Sequence, residues 1–286
     1  MIVPAKGFKA LAPAKLNLTL EILGKRADGY HEIRTLMQPI SLYDILWFHP
    51  ANGNLEVYCP GYPELEREDN LIVRAVRLLE KEIGQTLALR IHLRKRIPLG
   101  GGLGGGSSDA ATVLINLNRL LGDQVPVERL TVLAAQIGSD VPFFLKRQTA
   151  LALGRGERIL PWPRFPLWWY VLICPDFPVS TPWAYGLVKL PLTEEKETSN
   201  IGSLREWGEI PRKDQLKNDL EPGVFPVFPR LGEIKEALFR EGCLQALMSG
   251  SGSTVFGIWE DQTNAAQAFL SLKNQGWGKV FLVRGI

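Results

Sequence analysis

Between residues 87 and 94 apolar and polar positions alternate. Leu87, Leu89, Ile91 and Leu93 fall on one side, and Ala88, Arg90, His92 and Arg94 on the other. That period of two predicts a half-buried strand. From Ala110 the period changes: Ala110, Val113, Leu114, Leu117, Leu120 and Leu121 recur at helical spacing, and Gly122 is a natural stop. Between the two elements the chain reads Pro98, Leu99, Gly100, Gly101, Gly102, Leu103, Gly104, Gly105, Gly106, Ser107, Ser108, with Ser107, Ser108 and Asp109 where helix-capping residues belong. The order is strand, glycine loop, helix N-terminus.

Other segments repeat these two periods. Leu16, Leu18 and Leu20 alternate as a strand, so Lys15, Asn17 and Thr19 share the opposite face, which by alternation alone is an exposed one. Residues 130–137 are apolar at helical spacing, 143–145 are apolar, and 168–173 and 280–283 read as strands. Residues 154–158 and then Pro161, Pro163 and Pro166 interrupt the pattern and predict a boundary, giving domains 1–158 and 159–286. The polar stretch 193–214 reads as a solvated loop.

The loop holds the first candidate chemistry. Six of the seven residues from 100 to 106 are glycine, and each costs backbone entropy on folding. A bare backbone lets consecutive N–H groups converge on an anion, and a helix N-terminus adds about half a positive charge. A phosphate cradle is the direct reading. It is no P-loop, because Ser107 and Ser108, and no lysine, follow Gly106. Gly100, Gly102 and Gly105 satisfy Gly-x-Gly-x-x-Gly only as any such cluster would. A protein kinase is excluded by Ser107 in the valine position and by the lack of a His-Arg-Asp sequence. A flexible linker would not be flanked by a strand and a helix.

The segment 98–107 resembles the central motif of the GHMP kinases, a family of small-molecule kinases. Pro13-Ala14-Lys15-Leu16-Asn17-Leu18 and residues 248–256 resemble its first and third motifs, in the right order along most of the chain. Residues 26–31, 68–72 and 138–143 resemble one branch of the family, and Gly29-Tyr30-His31 is the most discriminating segment. The resemblance implies a two-domain α+β fold, with an N-terminal half like domain 2 of ribosomal protein S5 and a ferredoxin-like C-terminal half. It also implies ATP-dependent phosphorylation of the 2-hydroxyl of 4-diphosphocytidyl-2-C-methyl-D-erythritol, in non-mevalonate isoprenoid precursor synthesis.

The same resemblance assigns roles. Asp140, in Gly-Ser-Asp-Val-Pro, is the base, and Lys15 lies beside it and the transferred phosphoryl group. Asn17 lies near the acceptor alcohol. Asn70 and Lys95 lie near the nucleoside, although the run Arg94-Lys95-Arg96 also reads as a solvated strand end. The loop 98–106 holds phosphate, and Ser107 or Ser108 orients phosphate or magnesium. Tyr30 and His31 form the cytosine site, with Thr181 beside it and Tyr185, or else Trp183, closing the other face. Residues 249–253 are a second glycine–serine loop near the acceptor's phosphates, or a plain tight turn. No carboxylate cluster reads as a magnesium cage, so magnesium is expected on ATP.

Composition bounds the rest. The 286 residues are 45% hydrophobic and 22% charged, ordinary for a globular chain. The net charge of +3 is too small to argue for nucleic acid. The longest apolar run, 167–174, is too short to span a bilayer, and no secretory signal is legible. Three separated cysteines suit a reducing cytosol and no metal cluster. The expectation is a cytoplasmic monomer or weak homodimer. Two competing readings remain: another kinase of the same family acting on homoserine, mevalonate or a sugar, and a nucleotide-binding module without turnover.

Overall fold

The computed structural model describes residues 6–162, 165–188 and 215–286, so Pro163 and the polar stretch 193–214 lie outside the described residues. The chain forms two compact units that interleave along the sequence. Unit one takes, of the described residues, 6–14, 42–97 and 104–147; unit two takes 15–41, 98–103 and those after 147. The glycine loop is therefore divided between them, after Leu103. The boundary expected at 158/159 falls inside a strand of unit two, Arg158–Pro161.

Unit one holds most of β1 (Phe8–Asn17), the second half of β3 (His31–Pro50), β4 (Glu56–Tyr58) and β5 (Leu89–Arg94). β3 pairs antiparallel with β5, from Ile45 opposite Arg94 to Pro50 opposite Leu89, and β4 pairs parallel with β5. The predicted alternation holds: Leu89, Ile91 and Leu93 are buried and Arg90 and Arg94 exposed. Helices α1 (Leu71–Ile83), α2 (Gly105–Leu120), α3 (Val127–Ile137) and α4 (Val141–Lys146) supply the rest of its core through residues such as Val76, Leu114, Leu133 and Phe143.

The start of α2 differs from expectation. The helix begins at Gly105, with Gly104 as N-cap at φ 70, so Ser107, Ser108 and Asp109 lie inside its first turns and cap nothing. Glycine reaches that left-handed conformation without the Cβ penalty a serine would meet, which moves the helix start upstream of the serines.

Unit two holds β2 (Glu21–Lys25), the first half of β3, β6 (Ala150–Gly154) and β7 (Arg158–Pro161), with β3 antiparallel to both β2 and β6. Its second sheet contains β8 (Trp169–Cys174), β9 (Gln245–Met248), β10 (Val255–Trp259) and β11 (Lys279–Arg284), all antiparallel, in the order β11-β8-β10-β9. Three further helices precede β9: α5 (Thr181–Gly186), α6 (Glu221–Val224) and α7 (Pro229–Arg240). α7 lies between β8 and β9, and α8 (Gln262–Leu272) between β10 and β11, giving the β-α-β-β-α-β succession of a ferredoxin-like domain. Val171, Ile173, Ile234, Leu238, Val255, Ala268 and Leu272 share one buried cluster.

Candidate functional site

In unit two the face of Lys15, Asn17 and Thr19 is not exposed, as alternation alone suggests. All three are buried, like Leu16, Leu18 and Leu20 opposite them. Polar groups buried in this way need partners. Lys15 Nζ donates to Asn17 Oδ1 at 2.6 Å and to the carbonyl of Gly102 at 2.9 Å, while its backbone N–H donates to Leu103 O at 3.0 Å. Asn17 Nδ2 donates to Thr35 Oγ1 at 2.8 Å, and Thr35 Oγ1 to Thr19 O at 2.5 Å. A cation is thereby seated on the glycine loop by a hydrogen-bonded row of side chains.

The second glycine–serine loop holds the other side of this segment. Ser249 Oγ donates to Gly102 O at 3.0 Å, and Thr254 N to Gly101 O at 3.3 Å. Ser249, Ser251 and Ser253 are buried, so this loop is a seat for the first and more than a tight turn. A Cβ at Gly102, whose φ is 74, would lie 2.0 Å from Ser249 O. Asn218 fastens the seat in turn, donating from Nδ2 to Met248 O at 2.7 Å and Gly250 O at 2.8 Å. Sequence reading misses Asn218, because nothing near it in the chain marks it as a partner of residues 248–250. Pro98 is half-buried, and Leu99 and Gly100 are exposed.

In unit one the start of α2 leaves the N–H groups of its first turn without intrahelical partners. Ser108 N is the first to close a helical bond, to Gly104 O at 2.9 Å. Gly106 is exposed, and a Cβ there would meet only Leu71 Cδ1 at 3.6 Å, an ordinary contact. Packing therefore does not require glycine at 106. Asp140 stands directly before α4, half-buried, and its side chain makes no capping bond, which removes the helix-cap reading of this carboxylate. Asn70 is a cap: its Oδ1 accepts from Ile72 N at 2.8 Å at the start of α1. Lys95 is no solvated strand end. Its side chain is 2% exposed and bonds Asp44 and Asp109.

The aromatic residues form a third group, in unit two. Asp28 and Gly29 (φ 85) turn the chain between β2 and β3, and Asp28 Oδ1 accepts from Tyr30 N at 3.1 Å. This presents Tyr30, 55% exposed, with the guanidinium of Arg155 4.9 Å from its ring centroid. The His31 and Tyr185 rings lie 5.3 Å apart, inclined by 36°. Trp183 packs edge-on against Phe228 at 5.4 Å, which favours Tyr185 over Trp183 as the closing aromatic. Thr181 and Ser251 hydroxyls are 2.8 Å apart. Burial, aided by the charge of Lys25, lowers the His31 pKa from its ordinary value, so the ring is neutral at neutral pH. A neutral imidazole carries one donor and one acceptor, and a cytosine edge offers both counterparts. Arg155 is the residue here that the sequence hid, since its neighbours Gly154 and Gly156 mark only a turn.

Among the described residues no group of three or more His, Cys, Asp or Glu side chains is arranged to hold a metal, and no helix is long and apolar enough to cross a membrane.

The family model described as GHMP kinases N terminal domain matches residues 70–148, and that described as GHMP kinases C terminal matches residues 195–277. The chain is 43% identical over 279 residues to a protein of Syntrophus aciditrophicus (strain SB), with 98% of this chain and 99% of that one covered. The chain belongs to the GHMP kinase family. That relative is named 4-diphosphocytidyl-2-C-methyl-D-erythritol kinase, as is one of Geobacter sulfurreducens that is 40% identical, with 93% of this chain and 95% of that one covered. Among solved structures, 4-(cytidine 5'-diphospho)-2C-methyl-D-erythritol kinase superposes with a TM-score of 0.79 at 38% identity, covering 98% of this chain and all of that one. Homoserine kinase of Cytophaga hutchinsonii matches at TM-score 0.71 but 17% identity, with 98% of each chain covered, which shows the GHMP fold alone. As a GHMP kinase the protein is an ATP-dependent phosphotransferase with the family's two-domain α+β fold.

Proposed function

We propose that this GHMP kinase transfers the γ-phosphoryl group of ATP to the 2-hydroxyl of 4-diphosphocytidyl-2-C-methyl-D-erythritol, a step of non-mevalonate isoprenoid precursor synthesis. The observation that carries the reading is the buried Lys15 ammonium seated on the Gly102 carbonyl, which fixes positive charge on the glycine loop. The relatives' names support the choice of acceptor, and the neutral His31 beside Tyr185 supports a cytidine end. The two matched family regions lie on either side of residue 158 and support a division into domains 1–158 and 159–286.

Each residue then has a task. The first turn of α2 receives the phosphates at its free N–H groups ahead of Ser108, and the exposed backbone of Gly106 allows close approach. Asn70 shapes the nucleoside side by capping α1. The acceptor hydroxyl oxygen bonds to the γ-phosphorus as the bond to ADP breaks, and its proton goes to Asp140. Lys15 offsets the charge that develops on the transferred group, and Asn17 orients the acceptor alcohol. Tyr30, His31, Thr181 and Tyr185 hold the cytidine. Magnesium arrives with the nucleotide, keeping phosphate and water ligands. The setting is cytoplasmic, and the working form is a monomer or weak homodimer.

The direct test incubates the purified protein with ATP, magnesium and the cytidine substrate, then with homoserine and with mevalonate. ADP is released with the cytidine substrate alone. Comparable release with either other alcohol overturns the assignment.

The cytidine end has its own expected outcome. Tyr30→Ala raises KM for the cytidine substrate and leaves KM for ATP unchanged. In the unaltered protein KM for the cytidine substrate also rises as pH falls through the lowered His31 pKa, below the ordinary 6.5, because imidazolium has lost its acceptor. Equal movement of both KM values removes these residues from the cytidine site.

A further inference from the structure

We infer that Lys95 is a positioning residue for the nucleotide: its ammonium, held between Asp44 and Asp109, fixes the first turn of α2 and hence the N–H groups offered to phosphate. The inference rests on the reading of that turn as the phosphate cradle.

Three elements meet at this one ammonium. Asp44, fully buried on β3, accepts Lys95 Nζ on Oδ2 at 2.5 Å, and its Oδ1 accepts Arg96 N at 2.5 Å and Ile97 N at 2.9 Å. Lys95 Nζ also donates at 2.8 Å to Oδ2 of Asp109, one turn inside α2. A Cβ at Gly105 would lie 3.2 Å from Nζ, so the ammonium sits directly against the first residue of the helix. Burial opposes its charge, but Asp109 and Asp44 outweigh that and raise the Lys95 pKa. The ammonium therefore stays charged.

Two further groups border the ammonium. Cys59 and Glu66 face the same cluster: burial pushes the Cys59 thiol up to about 11, so it is neutral, and Glu66 Oε1 accepts from Cys59 N at 2.8 Å. Burial, and then the charge of Asp44, pushes Asp109 up to about 7 against the pull of Lys95, and its Oδ1 is buried without a partner. A well-packed apolar trio would hold the fold at least as well as this arrangement. What the ion cluster adds is direction. Hydrogen bonds to one point from β3, from the segment after β5 and from α2 set the rotation and height of the helix start, where free N–H groups must meet phosphate oxygens.

The test uses the double variant Lys95→Met with Asp109→Asn, in which the Asp44 carboxylate loses its counter-ion but keeps its two backbone donors. ATP binding is measured by calorimetry, and KM for both substrates and kcat by steady-state kinetics. The expected result is ATP affinity weakened by ~10-fold or more, with kcat at saturating ATP and KM for the acceptor within about twofold of the unaltered protein. Should the double variant fail to fold, Asp109→Asn alone is read the same way. Unchanged ATP affinity in a folded variant overturns the inference, as does a parallel loss in kcat and both KM values. If the unaltered protein binds no ATP in the same calorimeter, the cradle reading falls, and this inference with it.

Discussion

Alanine at Lys15, or at Asp140, is expected to lower kcat by ~100-fold or more, the low end of general-base effects. The two losses have different origins. Without Asp140 the acceptor's proton has no positioned carboxylate to receive it, and the half-buried Asp140 side chain makes no capping bond whose loss would unwind α4. Without Lys15 two things fail together. The developing charge on the transferred group loses its cation, and the buried acceptors Asn17 Oδ1 and Gly102 O lose a donor. A lost buried hydrogen bond costs about 1–3 kcal/mol, so Lys15→Ala also lowers thermal stability. Lys15→Met keeps the aliphatic stem and separates packing from charge. Steady-state kinetics on folded protein, checked by circular dichroism, is the measurement. Near-normal kcat in either folded alanine variant removes that residue from the chemistry.

The second large effect contrasts two glycines four residues apart. Gly102→Ala is expected to disrupt the site outright. Its φ of 74 disfavours any side chain by about 1–2 kcal/mol, and the new methyl would lie 2.0 Å from Ser249 O. The loop must move, which breaks the bonds from Lys15 and Ser249 to the Gly102 carbonyl. Turnover and melting temperature fall together. Gly106→Ala behaves in the opposite way. The methyl meets only Leu71 Cδ1 at 3.6 Å, and alanine in a helix is favoured over glycine by about 1 kcal/mol. Stability holds or rises while KM for ATP increases by roughly tenfold, the ~1.4 kcal/mol that a crowded phosphate contact forfeits. Differential scanning calorimetry beside KM for ATP decides the matter. A Gly106→Ala protein with unaltered ATP kinetics shows that the phosphates do not approach that backbone.

Much of this was legible in the chain because it is local. Strand β5 and helix α3 follow from period alone, since each buries one recurring set of side chains, whereas β8 and β11 show as short apolar runs, β8 with nearly every residue buried. The glycine loop between a strand and a helix was legible for the same reason. The misreadings come from contacts distant in sequence. Lys15 and Asn17 alternate with leucines, which by itself means a wet face, yet their partners Gly102 and Ser249 bury them. Lys95 sits in a basic triplet and reads as solvated, yet Asp44 lies 51 residues away and closes over it. Helix α1 follows directly on the segment 68–72, yet Asn70 is read there as a nucleoside-side residue, and its role as a cap shows in the bond from Ile72 N. Ser107 and Ser108 have the right chemistry for an N-cap, but Gly104 reaches a backbone conformation that they would resist.

The hydrogen bond from Asn17 N to Ser249 Oγ joins residues 232 positions apart. Closing so long a loop is entropically slow and is rewarded only when the last pieces arrive. During synthesis the strand bearing Lys15 is made well before the serines that fasten the glycine loop. A nascent chain thus holds the cation and the glycines before it holds their seat.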